Sequence, residues 1–175
     1  MKPSPISDHD HVSGPSDAVL TLVEYGDFEC PFCVKAFPII EGVRETFGDK
    51  LRFVYRHMPR SAGQGFAKQA AEASEFAASQ GQFWAMHAEL FRHPDQHDLE
   101  HLVGTAKTIG LDPEACRKAL IERTFAERVR ELAVASVKSG IIGTPTLFIN
   151  GTRYENRIED DLLRSALEDV LEVKG

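Results

Sequence analysis

The chain has 175 residues, 42% of them hydrophobic and 27% charged, with 20 Lys and Arg against 27 Asp and Glu and a net charge of −7. That size suits one unit with a sizeable core, and the acidic balance, with no basic stripe, excludes a phosphate-tracking nucleic-acid binder. The longest apolar runs are far too short to cross a bilayer. Residues 1–16 are polar and hold Pro3, Pro5, Gly14 and Pro15, so they read as an arm with at most a short edge strand. This start lacks the apolar stretch of a secretory signal; with Met1 as the natural start the expected compartment is the cytoplasm, and with a trimmed start the periplasm or the outside of the cell.

An apolar run over about 18–25, Val19 to Tyr25, reads as a buried strand. From Pro31 to Phe47, the apolar residues Phe32, Ala36, Ile39, Ile40, Val43 and Phe47 recur near helical period. Pro38 should kink this helix and Gly48 stop it. Leu51 to His57 alternates and is rich in β-branched and aromatic residues, a second strand. Strand, helix and strand in this length make a right-handed βαβ unit with parallel strands.

From about 63 to 138 only helices are expected. Ala67, Ala70, Ala71, Ser74 and Ala78 form a close-packing face, and Phe83, Trp84, His87, Leu90 and Phe91 an aromatic stripe. Leu99, Leu102, Val103 and Ala106 repeat the spacing, and Asp112-Pro113 is an N-cap followed by an N1 proline. A last insertion helix should pack Phe125, Val129, Leu132, Ala133 and Val137 and end near Gly140. Strands then return at 146–149 and 152–154 around an Asn150-Gly151 turn, and an amphipathic helix closes the chain over about 159–172. The fold class is α/β: a thioredoxin fold with an all-helical domain between its βαβ and ββα halves. Its domains are the arm 1–16, the discontinuous thioredoxin-fold domain 17–62 and 139–175, and the helical insertion 63–138.

Cys30-Pro31-Phe32-Cys33 stands where the first strand meets the first helix. Both thiols can sit on the first helical turn, where free N–H groups and the positive end of the helix dipole favour a thiolate. A structural cysteine pair or half a zinc site is the alternative. Zinc needs two more ligands in comparable spacing, whereas His9 and His11 lie on the arm and Cys116 stands alone. Cys116 shares helical spacing with Ala119 and Leu120 and reads as a small core residue. Asp27 and Glu29 flank the motif; read as solvated, they work against a very low Cys30 pKa. His57 reads as a loop or capping histidine, and His87 and Trp84 as packing.

Glu24 to Cys33 (Glu-Tyr-Gly-Asp-Phe-Glu-Cys-Pro-Phe-Cys) and Gly143 to Gly151 (Gly-Thr-Pro-Thr-Leu-Phe-Ile-Asn-Gly) resemble the DsbA-like thiol–disulfide oxidoreductases, a branch of the thioredoxin superfamily. The resemblance covers residues 9–172. It implies exchange with protein or peptide thiols and disulfides through a mixed disulfide, regeneration by a redox partner, and no cofactor or metal beyond a redox-active Cys30–Cys33 disulfide. Cys30 would be the nucleophile, exposed at the helix N-terminus, and Cys33 the more buried resolving thiol. Thr144-Pro145 matches the family's cis-proline, which with Pro31 and Phe32 would meet the substrate's extended backbone.

Glu24 matches a buried acid that the family and its relatives often keep, able to take the proton from Cys33. A strand-end glutamate exposed to water is the plain alternative. The family's strongest oxidants carry His where Phe32 stands, so an intermediate potential is expected, between the roughly −120 mV of DsbA and −270 mV of thioredoxin. Relatives occur fused to membrane transporters, and the chain could be a free-standing one, with no nucleic acid or membrane as partner and a monomer as the default. A kappa-class glutathione transferase shares the inserted-helix architecture but usually places a single Ser where Cys30 stands. A peptide-binding thioredoxin-like module with incidental thiols is a further alternative.

Overall fold

A computed structural model describes residues 3–59 and 65–174, so the expected domain boundary at 62/63 lies outside the described residues. The central strand β2 (Leu20–Gly26) pairs in parallel with β3 (Leu51–His57), and helix α1 (Pro31–Phe47) makes the crossover between them. Strand β4 (Thr146–Ile149) pairs antiparallel with the other side of β2. The edges are β1 (His11–Ser13), antiparallel to β3, and β5 (Thr152–Arg153), antiparallel to β4 beyond an Asn150-Gly151 turn with positive φ at both residues. The sheet order is β1-β3-β2-β4-β5.

Both faces of β2 are covered, which explains why its apolar run lacks clean alternation. Leu20 and Leu22 face the large core with Ala36, Ile40 and Val43 of α1 and with Leu163 and Leu167 of α7 (Asp160–Lys174). Val23 and Tyr25 join Val54, Phe148 and Ile141 on the opposite face. The large core continues without a break into the inserted helices α2 (Ala67–Ser79), α3 (Phe83–Arg92), α4 (Leu99–Thr108) and α5 (Pro113–Ile121). Asp112 caps α5 as expected, its carboxylate accepting from the N–H groups of Glu114 and Ala115. Helix α1 runs on through Pro38, and Gly48 (φ 47°) ends it.

Within the fold, the structure corrects the sequence reading at the arm and at the last insertion helix. Residues 4–13 are tied down: Arg56 donates to both carboxylate oxygens of Asp10 and to the Pro5 carbonyl, and Trp84 Nε1 donates to the Val12 carbonyl. The last insertion helix, α6 (Ala126–Lys138), buries Val129 and Ser136, while Val137 is 61% exposed and Phe125 precedes the helix. Its inner face is chosen by where it meets β3, with Ser136 Oγ donating to the His57 carbonyl at 3.0 Å.

Gly26 ends β2 beneath the cysteine motif. A Cβ there would stand 2.6 Å from Tyr55 Cε2 and 2.9 Å from its hydroxyl, and that ring is wholly buried. Gly26→Ala is therefore expected to cost about 1–3 kcal/mol of folding stability by overpacking, read from the urea midpoint. An unchanged midpoint would show that Tyr55 has room to move.

Candidate active site

Cys30 is the N-cap of α1 with an extended backbone (φ −73°, ψ 118°), and Pro31 takes the first helical position. The Cys30 N–H donates to the Asp27 carbonyl at 3.1 Å and the Cys30 carbonyl accepts from Val34 N–H at 3.0 Å. These bonds hold the turn that places Cys30 and Cys33 on one helical face. All three cysteines are free thiols. Cys33 is completely buried, and Cys30 is 8% exposed, so the nucleophile candidate is far better covered than expected. Pro31 and Phe32 are exposed, Phe32 at 68%.

Thr144 and Pro145 arrive from the loop before β4, and their peptide bond is cis. Cys30 Sγ donates to the Thr144 carbonyl at 3.3 Å, which brings these two sequence-distant segments together. The Cys30 thiol is lowered to about 5. The main cause is the Cys33 S–H donated to its sulfur; burial opposes this, and the Thr144 hydroxyl and the N–H groups of Cys33 and Phe32 add to it. Cys33 is pushed far above the usual thiol range by the same hydrogen bond, then by burial and by the Glu24 charge.

Glu24 lies in register between Tyr55 of β3 and Leu147 of β4, only 2% exposed. Burial pushes its carboxyl up to about 8, helped by the nearby Cys30 and Glu41 charges. Its Oε1 and the Tyr55 hydroxyl are buried with no hydrogen-bond partner among the described residues. Burial and then Glu24 also push the Tyr55 hydroxyl well up. The exposed strand-end alternative for Glu24 is thus excluded.

Asp27 and Glu29 are not the solvated flank expected of them. Asp27 is 5% exposed and its Oδ1 accepts from Glu29 N–H, while Glu29 Oε1 accepts from Phe66 N–H at 2.9 Å. Neither is among the main influences on the Cys30 thiol. Cys116 is fully buried, and burial pushes its thiol up to about 11. His87 is a core residue, held neutral first by burial and then by the Arg44 charge.

His57 is neither loop nor cap. It is the last residue of β3, 1% exposed, and its Nε2 meets Glu75 Oε1 at 3.0 Å. His11 Nε2 meets the same oxygen at 2.5 Å, so the arm histidine is built into the fold. Glu75 sits on an alanine-rich helix and carried no sequence signal as a site residue. Burial alone would raise its carboxyl, but the bonds from His11 and His57 hold it well below the usual range.

A thioredoxin family model matches residues 7–169. Among solved structures, oxidised BdbD from Bacillus subtilis superimposes with a TM-score of 0.85 at 27% identity, covering 98% of this chain and 97% of that one. The α-DsbA1 of Wolbachia pipientis gives 0.83 at 17% identity over 97% of this chain and 94% of that one, a likeness of fold. Among curated proteins, the Na+/H+ antiporter NhaA 3 of Salinispora tropica is 41% identical over 91% of this chain and 24% of its own length. NhaA 1 of Mycolicibacterium vanbaalenii is 42% identical over 92% of this chain and 26% of its own. The chain thus spans about a quarter of the length of the curated relatives it matches. With its cysteine pair under the Thr144–Pro145 loop, the chain belongs to the thioredoxin family.

Proposed function

We propose that the protein exchanges its Cys30–Cys33 dithiol and disulfide with protein or peptide thiols through a mixed disulfide on Cys30. The observation that carries this reading is geometric: Cys30 caps α1 with its Sγ 3.3 Å from the Thr144 carbonyl, and Cys33 lies fully buried on the same helical face. The thiols suit it, with Cys30 lowered to about 5 and Cys33 pushed far above the usual range. At neutral pH Cys30 is the ready thiolate and leaving group. In the reducing direction its sulfur attacks a substrate disulfide and expels one substrate thiolate. Cys33, giving its proton to the Glu24 carboxylate, then attacks Cys30 Sγ and expels the second, leaving the Cys30–Cys33 disulfide. The oxidising direction runs the same steps backwards. No metal or organic cofactor is needed, only a redox partner that resets the pair.

Exposed Phe32 and Pro31 and the Thr144–Pro145 edge suit an extended, partly apolar substrate backbone. We take the chain to act as a monomer. The cytoplasmic expectation rests on the first residues of the chain and gains no support. One similar solved structure, at 20% identity, is a periplasmic thioredoxin-like protein from Salmonella enterica. Among the described residues no helix is long and apolar enough to cross a membrane, and antiport is not proposed for this chain.

Two variants test the exchange. Cys30→Ser should abolish turnover of insulin disulfides while leaving peptide binding intact. Cys33→Ser should accumulate mixed disulfides that dithiothreitol releases. Full turnover by Cys30→Ser would sink the mechanism. Binding without any turnover in the parent protein would favour the peptide-binding module, and transfer of glutathione to an electrophile the kappa-class alternative.

A further inference from the structure

We propose that His11, His57 and Glu75 form a site for a borderline divalent transition ion, Zn2+ or Co2+, separate from the cysteine pair and independent of the redox reading. One ring nitrogen from each imidazole and one carboxylate oxygen lie within 4.8 Å of one another. They come from three elements far apart in sequence: the edge strand β1, the end of β3, and helix α2. Two nitrogens and one carboxylate oxygen are the donor set of an open three-ligand zinc site, whose fourth position takes water. Calcium and magnesium prefer shells of oxygen, so this set disfavours them.

The donors are gathered and mostly buried before any ion arrives. His57 is 1% exposed on its side chain, Glu75 6% and His11 13%, and the His11 ring stacks on Phe83 at 3.5 Å between centroids. Ser74 Oγ lies 3.3 Å from His57 Nε2 and donates to the Ala71 carbonyl. Arg128 is the neighbouring cation. Its Nε lies 3.6 Å from the other carboxylate oxygen, Glu75 Oε2, and its Nη2 donates to the His9 carbonyl. Arg128 therefore occupies Oε2 and leaves Oε1 as a single-atom ligand facing both imidazoles. A tetrahedral ion keeps its donors about 3.3 Å apart. Binding asks Glu75 to back away from His11 and the two imidazoles to close in. His11, on a three-residue edge strand, is the ligand free to make that adjustment.

The test uses the full chain carrying Cys30→Ser and Cys33→Ser, stripped with a chelator and titrated with Zn2+ in a calorimeter. One saturable site per chain is expected, weakened about 100-fold or more by Glu75→Gln or His57→Asn, beyond the effect of losing an outer-shell partner. His11→Asn, at the sheet edge, gives the same loss with the least risk to folding. X-ray absorption of the Zn2+ form with the three ligands intact should show a nitrogen and oxygen shell at about 2.0–2.1 Å with no sulfur. The absence of saturable binding would overturn the proposal and leave a hydrogen-bonded cluster only. So would a shell containing the Cys116 sulfur, or binding that survives all three substitutions.

Discussion

Glu24→Gln is expected to slow the resolving step by about 100-fold or more and to stabilise the fold at alkaline pH. The first effect follows from proton bookkeeping. Cys33 is completely buried and its thiol lies far above the usual range, so it attacks the mixed disulfide only if a nearby base takes its proton. Glu24, buried and pushed up to about 8, is matched to that task near neutral pH. An amide cannot accept the proton. Quenched-flow mass spectrometry on a preformed mixed disulfide measures the step, and an unchanged rate would remove Glu24 from the proton path.

The second effect has the opposite sign. A carboxyl whose folded pKa is about 8 against an ordinary 4.5 leaves the folded chain holding more protons than the unfolded one between those values. Stability is therefore lost as pH rises from about 4.5 to about 8, and the full penalty stands above 8. Glu24→Gln should recover roughly 2 kcal/mol at pH 9, with the unmade hydrogen bonds of the buried amide set against the relief of charge burial. A faster enzyme or a less stable variant would contradict the assignment. A slower, more stable one is the outcome this site predicts.

Alkylation of Cys30 should follow a thiolate midpoint near pH 5, and Cys33→Ala should move that midpoint up by about two pH units. The Cys33 S–H is the largest cause of the lowered thiol, which is why this substitution is chosen. Cys116, completely buried and pushed up to about 11, stays silent in the assay. The sign for the reduced protein is that of a depressed acid. Its stabilisation is complete above the ordinary thiol value of 9.0 and vanishes as pH falls through about 5.

The same titration sets the redox poise. Above pH 5, reduction of the disulfide takes up one proton per two electrons, so the potential should fall by about 30 mV per pH unit, steepening to about 59 mV below pH 5. At pH 7 the value is expected between the roughly −120 mV of DsbA and −270 mV of thioredoxin, because Phe32 gives the Cys30 sulfur no side-chain donor. A single steep slope down to neutral pH would show that Cys30 is an ordinary thiol.

The elements were legible because their signals are local. Alternation in Leu51–His57, helical spacing in Pro31–Phe47 and the Asp112-Pro113 cap each lie within one stretch of chain. The cysteine pair at the start of α1 and Glu24, six residues before it, were likewise close in sequence. What no local pattern carries is which surface a helix turns inward. The apolar count of α6 favoured Val137, yet the end of β3 selected Ser136 for the inside.

Charge was misread for the same reason. Asp27 and Glu29 look solvated beside the motif, and Glu75, on an alanine-rich helix, gives no sign of a role. Asp27 accepts from the nearby Glu29 N–H, but it is burial in the fold that takes its water. The Phe66 N–H that meets Glu29 and the imidazoles that meet Glu75 are brought near only by the folded chain, His11 from 64 residues away. By itself the sequence determined the order of strands and helices and the Cys30–Cys33 pair, since period and spacing are properties of consecutive residues. The tertiary structure decided which polar side chains lose their water, and hence the thiol and carboxyl pKa values, because desolvation depends on everything packed around a group and not on its neighbours in the chain.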